Sequence, residues 1–159
     1  MPSFVYNNFK GDLASGSYQW ANSLTSWIVK ATLLTSAYVP TASHVYASIF
    51  SGQELSSTSH TALYNGTLRL SLVSTLISIN NTAIVGSAGR AELVASAVTW
   101  SGISAGSAQA LVLLAESAAS ANSNGNTRLI AYIDFVSVIL TNGGDLQVIF
   151  SSAGILQHN

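Results

Sequence analysis

The chain has 159 residues, a length typical of one domain with a sizeable core. Charged residues make up only 7% of it and hydrophobic residues 48%, which excludes intrinsic disorder, because a disordered chain carries much charge and little hydrophobicity. The net charge is -1 and the five basic residues are spread along the chain, so we do not expect DNA or RNA binding.

A short helix over 4–14 is the first predicted element. Val5, Phe9 and Leu13 lie four residues apart on one helical face, and Gly16 follows as a stop. We expect this helix either to dock onto another subunit or to cover the core of its own domain.

The rest of the chain has the composition of strands joined by turns. Its apolar and β-branched runs are separated by Asn and Gly, which accept the positive φ of a tight turn. The predicted strands are 24–35, 67–79, 91–100, 107–116, the two halves of 129–150 and a short run at 154–156.

This order predicts an all-β chain, an antiparallel β-sandwich (jelly-roll-like) with one short N-terminal helix. In this division, residues 1–20 form the N-terminal helix or arm and residues 21–159 form the β-sandwich domain. Strand-helix-strand alternation is absent, which argues against a parallel nucleotide-binding sheet. The polar connection 41–62 and the N-terminal segment are candidates for reaching adjacent subunits.

The stretch LIAYIDFVSVILTNGGDLQVIF, residues 129–150, is predicted to form two strands joined as a hairpin around Asn142-Gly143-Gly144. It is apolar at nearly every position, so both faces of the first strand need cover. One face is expected to meet a partner sheet, and the other a helix, a neighbouring subunit or a larger shell. The two predicted faces are Ile130, Tyr132, Val136 and Val138, against Leu129, Ala131, Ile133, Phe135 and Ile139.

No catalytic, cofactor-binding or metal-binding motif is found. The chain has no cysteine, no G-x-S-x-G elbow and no phosphate-binding loop ending in Lys-Ser/Thr. The acidic residues lie near turns or polar neighbours, where solvation or a local hydrogen bond is the expected role. They are Asp12, Glu54, Glu92, Glu116, Asp134 and Asp145.

The three histidines lack the short spacing of a metal pair, although a zinc site assembled in three dimensions stays open. These are His44, His60 and His158. No apolar run reaches the length of a membrane span, and the N-terminus lacks the basic start and long apolar run of a signal peptide. We therefore expect synthesis in a reducing cytoplasm.

Exposed aromatic residues are the signal of a sugar-binding surface. Trp27 and Trp100 lie within strand patterns, where burial is expected. Trp20 lies in a polar loop and, with Tyr64, is the candidate for an exposed contact with a glycan.

Three segments together resemble a family of small β-rich structural proteins of tailed bacteriophages. They are WIVKATLLTSAYVPTASH (27–44), VTWSGISAGSAQALVLL (98–114) and RLIAYIDFVSVILTNGGDLQVIFSSAGIL (128–156). YNNFKGDLASGSYQW (6–20) is also similar to the opening helix and turn of that family, so the resemblance covers most of the chain, with 45–97 only loosely matched.

The resemblance implies a virion component without enzymatic activity, a head decoration (cement) protein in some members. The motifs do not distinguish head from neck or tail. We favour a capsid decoration protein, with the major capsid protein as partner, the capsid exterior as location, and a homo-oligomer in which a trimer is favoured over a dimer. No cofactor, metal, nucleic acid or membrane is expected. Two alternatives stay open: a neck or tail structural protein, and a glycan-binding module for host attachment.

Overall fold

The computed structural model describes residues 2–15, 27–50, 52–55, 70–71, 76–79, 91–94, 97–117, 125–150 and 156–158. Its elements in chain order are β1 (Phe4–Val5), α1 (Asn7–Ala14), β2 (Trp27–Leu34), a 3-10 helix (Ala47–Phe50), β3 (Leu70–Ser71), β4 (Leu76–Ile79), β5 (Ala91–Val94), β6 (Val98–Trp100), β7 (Gly106–Ser117), β8 (Arg128–Thr141), β9 (Leu146–Val148) and β10 (Leu156–His158). All pairs between these strands are antiparallel, which confirms the all-β class with one short α-helix. Neither helix in these ranges has the length and apolar character needed to span a membrane.

The described strands form three sheets. A five-stranded sheet has the order β1-β8-β7-β2-β3, a three-stranded sheet the order β10-β5-β4, and β6 pairs with β9. The single strand predicted over 91–100 is therefore wrong, because β5 and β6 belong to different sheets. The predicted boundary at residue 20 falls outside the described residues, as does most of the predicted strand 67–79.

The hairpin predicted over 129–150 is also wrong, since β8 pairs with β1 and β7 whereas β9 pairs with β6. The turn between them is held by other contacts. Ile103 N–H donates to the carbonyl of Gly144 at 2.9 Å, and Gly102 N–H donates to Asp145 Oδ1 at 2.9 Å. These bonds tie the turn to the 102–103 loop, so β9 continues onto β6 instead of folding back along β8.

Strand β7 is buried on both faces. Leu111, Leu113 and Ala115 belong to a first core, while the alternating set Ala110, Val112 and Leu114 belongs to a second core. Side chains alternate across a strand, so the two cores lie on opposite faces of the five-stranded sheet. This explains the nearly continuous apolar run of β7, which is the composition of a strand covered on both sides.

The first core is closed by α1, β6 and β9. Phe9 of the helix, Trp100 of β6 and Ile103 are fully or nearly fully buried in it, and Val148 of β9 packs against it. The burial expected for Trp100 is confirmed. The helix is shorter than predicted because Phe4 and Val5 extend along β8 as β1, pairing with Tyr132 and Ala131.

The second core is closed by the chain's own connection between β2 and the 3-10 helix. Tyr38, Ala47 and Phe50 are buried in it. The connection is fixed by backbone hydrogen bonds, from Ala47 N–H to the Thr127 carbonyl and from Leu129 N–H to the Val45 carbonyl, both at 2.9 Å. The second face of the sheet is thus covered by the chain's own connection after β2, which was not predicted from the sequence.

The predicted faces of β8 are wrong at Leu129 and Ile130, whereas the rest of one predicted face lies together at the first core: Ala131, Ile133, Phe135 and Ile139. Leu113 pairs with Ala131 and Leu114 with Leu129, so Ile130 is an extra residue in the ladder. Such a bulge reverses the alternation of the side chains. Ile130 consequently lies in the first core beside Ala131, and Tyr132 lies in the second core.

A buried ion pair was not anticipated from the sequence. Lys30 of β2 and Glu116 of β7 form a salt bridge with side chains 7% and 1% exposed. Both residues stand on the second face, next to Thr32, whose hydroxyl donates to Glu54 Oε1 at 2.7 Å. Replacing only one partner of such a buried pair is costly, because the remaining charge then lies uncompensated in the protein.

We expect Lys30→Met to lower the free energy of unfolding by about 3–5 kcal/mol, since Glu116 would lose its cation. The double variant with Glu116→Met should recover most of that loss, because no buried charge remains. Urea unfolding of both variants checks this, and a double variant as unstable as the single one would contradict it.

The glycine at the β8–β9 turn gives a second prediction. Gly143 has φ +91°, a value that L side chains rarely adopt, whereas Gly144 is not among the positive-φ residues. Gly143→Val should therefore lower stability by about 1–2 kcal/mol. Gly143→Asn is the matched control, because Asn tolerates positive φ and should retain most of the stability. Equal losses in chemical denaturation would refute the conformational explanation.

Candidate functional site

The second half of β8 departs from regular strand geometry. Ala108 pairs with Ile139, but Ala110 pairs with Asp134, so residues 135–138 stand opposite Gln109 alone. Asp134 organises this wide bulge: its Oδ1 accepts from Gln109 Nε2 at 2.8 Å and from the backbone N–H of Val136 at 2.9 Å. The bond from residue i+2 is a local side-chain turn typical of Asp.

Val136 is the conformational outlier of this segment. It has φ 65°, the one positive φ at a non-glycine residue in the described chain, and its side chain is 89% exposed. A β-branched residue in the left-handed region costs about 1–2 kcal/mol. Neither backbone preference nor packing within the chain accounts for valine at this position.

Two further large apolar side chains are exposed, one at the end of the bulge and one after it. Val138 is 44% exposed and Leu140 is 82% exposed. We call Val136, Val138 and Leu140 the distal β8 surface. Single exposed apolar residues are ordinary in proteins, but three within five residues of one strand form a patch of the kind that marks contact sites.

The distal β8 surface adjoins an open sheet edge. β1 pairs with β8 only at Tyr132 and Ala131, and Asp134 N–H donates to Ser3 Oγ at 3.0 Å. Past Asp134, no described strand pairs with the outer edge of β8. Unpaired backbone groups beside apolar side chains offer both hydrogen bonds and buried area to an incoming protein.

The electrostatics of this region suit an apolar partner. Residues 135–141 carry no charge, and the carboxylate of Asp134 at the start of the segment is held by Gln109 and Val136. The region can therefore bind a protein surface. The bulge was not predicted from the sequence, although Asp134 inside the apolar run was a signal for it.

The other described carboxylates have separate partners. Asp12 forms a salt bridge with Arg128, Glu54 accepts from Thr32, and Asp145 accepts from the backbone N–H of Gly102, which is distant in sequence and not the local bond that was expected. Within the described residues, no group of three or more His, Cys, Asp or Glu side chains could hold a metal ion.

Aromatic and histidine residues fall in different places. His44 Nδ1 lies 2.8 Å from the hydroxyl of Tyr38, which lies 3.1 Å from the hydroxyl of Tyr6. His60, Trp20 and Tyr64 lie outside the described residues, and Trp27 lies in β2 as predicted. The described residues therefore do not include Trp20 and Tyr64, the two candidates for contact with a glycan.

Comparisons of the chain with protein-family models, with curated proteins and with solved structures found no match.

The tyrosine cluster predicts a loss of stability in alkali. Burial raises the pKa of Tyr6, Tyr38 and Tyr132 above their ordinary value of 10.0. The unfolded chain thus loses these protons first, so stability is fully present below about pH 10 and falls as pH rises further. Tyr6→Phe should flatten this fall. Urea melts between about pH 8 and pH 11 test the prediction, and an unchanged alkaline slope in the variant would refute it.

Proposed function

We propose that this chain is a non-enzymatic virion structural protein, a capsid decoration protein that binds the lattice of the major capsid protein and stabilises the head. The distal β8 surface carries the proposal. The similarity of the 27–44, 98–114 and 128–156 segments to phage structural proteins and the charge fraction of only 7% support it.

Val136 is the strongest single argument for a partner at this surface. A strained backbone position persists only where the surroundings or the function require it. The side chain of Val136 is almost fully exposed, so packing within the chain does not require it. A valine retained there is accounted for if it is buried in an assembled state.

The physical role follows from the surface. Covering apolar area contributes about 25 cal/mol per Å² before the cost of association, and pairing of the open β8 edge adds backbone hydrogen bonds. Each copy then gains a modest free energy, which repetition over a lattice multiplies. Copies placed across capsomer boundaries resist separation of the shell by internal pressure.

We also propose the finer architecture and the assembly state. The described sheets form a jelly-roll-like sandwich, in which β6 and β9 face the five-stranded sheet across the first core; the shared burial of Trp100 and Leu113 supports this layering. The protein assembles as a homo-oligomer, a trimer rather than a dimer, on the capsid exterior after synthesis in the host cytoplasm. It requires no cofactor, metal, nucleic acid or membrane.

Co-sedimentation tests the proposed function. Purified protein is mixed with phage heads stripped of accessory proteins, with tails in parallel, and bound copies are counted. Saturable binding at hundreds of copies per head, together with heads that survive a higher temperature, is the expected result. Binding to tails or necks alone would favour the alternative structural role and overturn the decoration role.

A charge placed on the distal β8 surface should abolish this binding. We expect Leu140→Glu to weaken head binding by about 100-fold, because a desolvated carboxylate without a partner is costly. Its matched control is Val39→Glu, which alters a valine 67% exposed on the connection that follows β2. Both variants should unfold like the parent chain. Equal binding by the two variants would show that the distal β8 surface is not the contact.

A further inference from the structure

An open cleft lies between α1 and the connection that follows β2. Its volume is about 430 Å³. Five residues along one side of α1 and its C-terminal cap line it, opposite Ser43 and Val45. The residues on the helix side are Asn7, Asn8, Gly11, Asp12 and Ser15.

The two walls of the cleft are held in fixed positions. On the far side of α1, Phe9 is buried in the first core and Leu13 packs against it, which sets the rotation of the helix. Asn7 N–H donates to the carbonyl of Ala42 at 2.9 Å, which ties the start of the helix to the opposite wall. The cleft is therefore formed before any ligand arrives, which lowers the cost of binding.

Gly11 indicates that the space of the cleft beside α1 must stay open. It stands inside an eight-residue helix, where glycine is the least favourable residue apart from proline. A Cβ added there would meet no atom within 4 Å, and Gly11 is not among the positive-φ residues. Neither close packing nor backbone geometry calls for glycine, so alanine would fit and would stabilise the helix. A residue that breaks a local rule without a structural reason is expected at a functional position.

The lining selects an uncharged ligand. Asp12 Oδ2 accepts from Asn8 Nδ2 at 3.3 Å and also pairs with Arg128, whose guanidinium lies 5.8 Å from the ring centre of Tyr46. Among the described lining residues, Asp12 carries the one charge, and the protein neutralises it. The cleft offers amide, carboxylate and hydroxyl groups that donate and accept hydrogen bonds, the complement of a ligand rich in hydroxyl groups.

We propose that this cleft binds a neutral saccharide unit. Asn7, Asn8 and Asp12 bond to neighbouring sugar hydroxyls, and the open surface of Gly11 admits the ring against the helix. The site is separate from the distal β8 surface and from the residues first considered for glycan contact, Trp20 and Tyr64. Loss of either property leaves the other intact.

The test is a nitrogen-15 NMR titration of the full chain with a panel of neutral mono- and disaccharides and neutral dextran, with glycerol and sialic acid as comparators. Saturable shifts confined to residues 7–15 and 43–45 with at least one neutral saccharide are expected. Overturning results are the absence of such shifts throughout the neutral panel, an equal response to glycerol, or a response to sialic acid alone.

Gly11→Ala separates a binding site from a merely structural cleft. The variant should melt about 2–4 °C higher and bind the selected saccharide about tenfold more weakly, because its methyl group occupies the space of the ring. Gly125→Ala is the matched control: this loop glycine also has no atom within 4 Å of an added Cβ, and its variant should bind like the parent. Unaltered affinity in Gly11→Ala refutes the assigned position. Asn7→Ala, at an exposed residue, should weaken binding without changing the melting temperature.

Discussion

Burial of β7 on both faces is the constraint on which the rest of this structure depends. Its alternating side chains enter two separate cores, so the chain must supply two covers for one sheet. It supplies α1, β6 and β9 on one side and the 38–50 connection on the other. The hydrogen bonds that Ala47 and Leu129 make across this cover hold the connection against the sheet, and this explains how so weakly charged a chain buries two adjacent apolar strands.

The burial of β8 changes along its length. β8 is buried from Leu129 to Tyr132, and its exposed residues begin at Val136, within the wide bulge that Asp134 organises. Phe135 and Ile139 still pack against the first core, so only the second face loses its cover here, which leaves three aliphatic side chains beside an open edge. The proposed contact surface is the part of β8 that the described chain leaves uncovered.

The fold class could be predicted from the sequence, because β-branched runs and turn residues are local signals. Strand β2, within the predicted 24–35, and strand β7, which contains the predicted 107–116, followed from composition alone, as did the burial of Trp100. The partners of the strands could not be predicted, because pairing depends on distant contacts such as that between Ile103 and the Gly144 carbonyl. Bulges were missed for a related reason: alternation was assumed to continue through Ile130 and Asp134. The cleft at α1 was missed because its two walls are distant in sequence, although Gly11 inside a helical pattern was a local signal of it.

The central claim is that β8 is covered in its first half by its own chain and in its second half by a partner. Hydrogen–deuterium exchange of the protein, free and bound to stripped heads, tests this most directly. The account predicts that amides of 110–115 and 129–133 are protected in both states, while those of 135–138 exchange rapidly in the free protein and slowly in the bound one. Protection of 135–138 in the free protein, or rapid exchange there in both states, would contradict it.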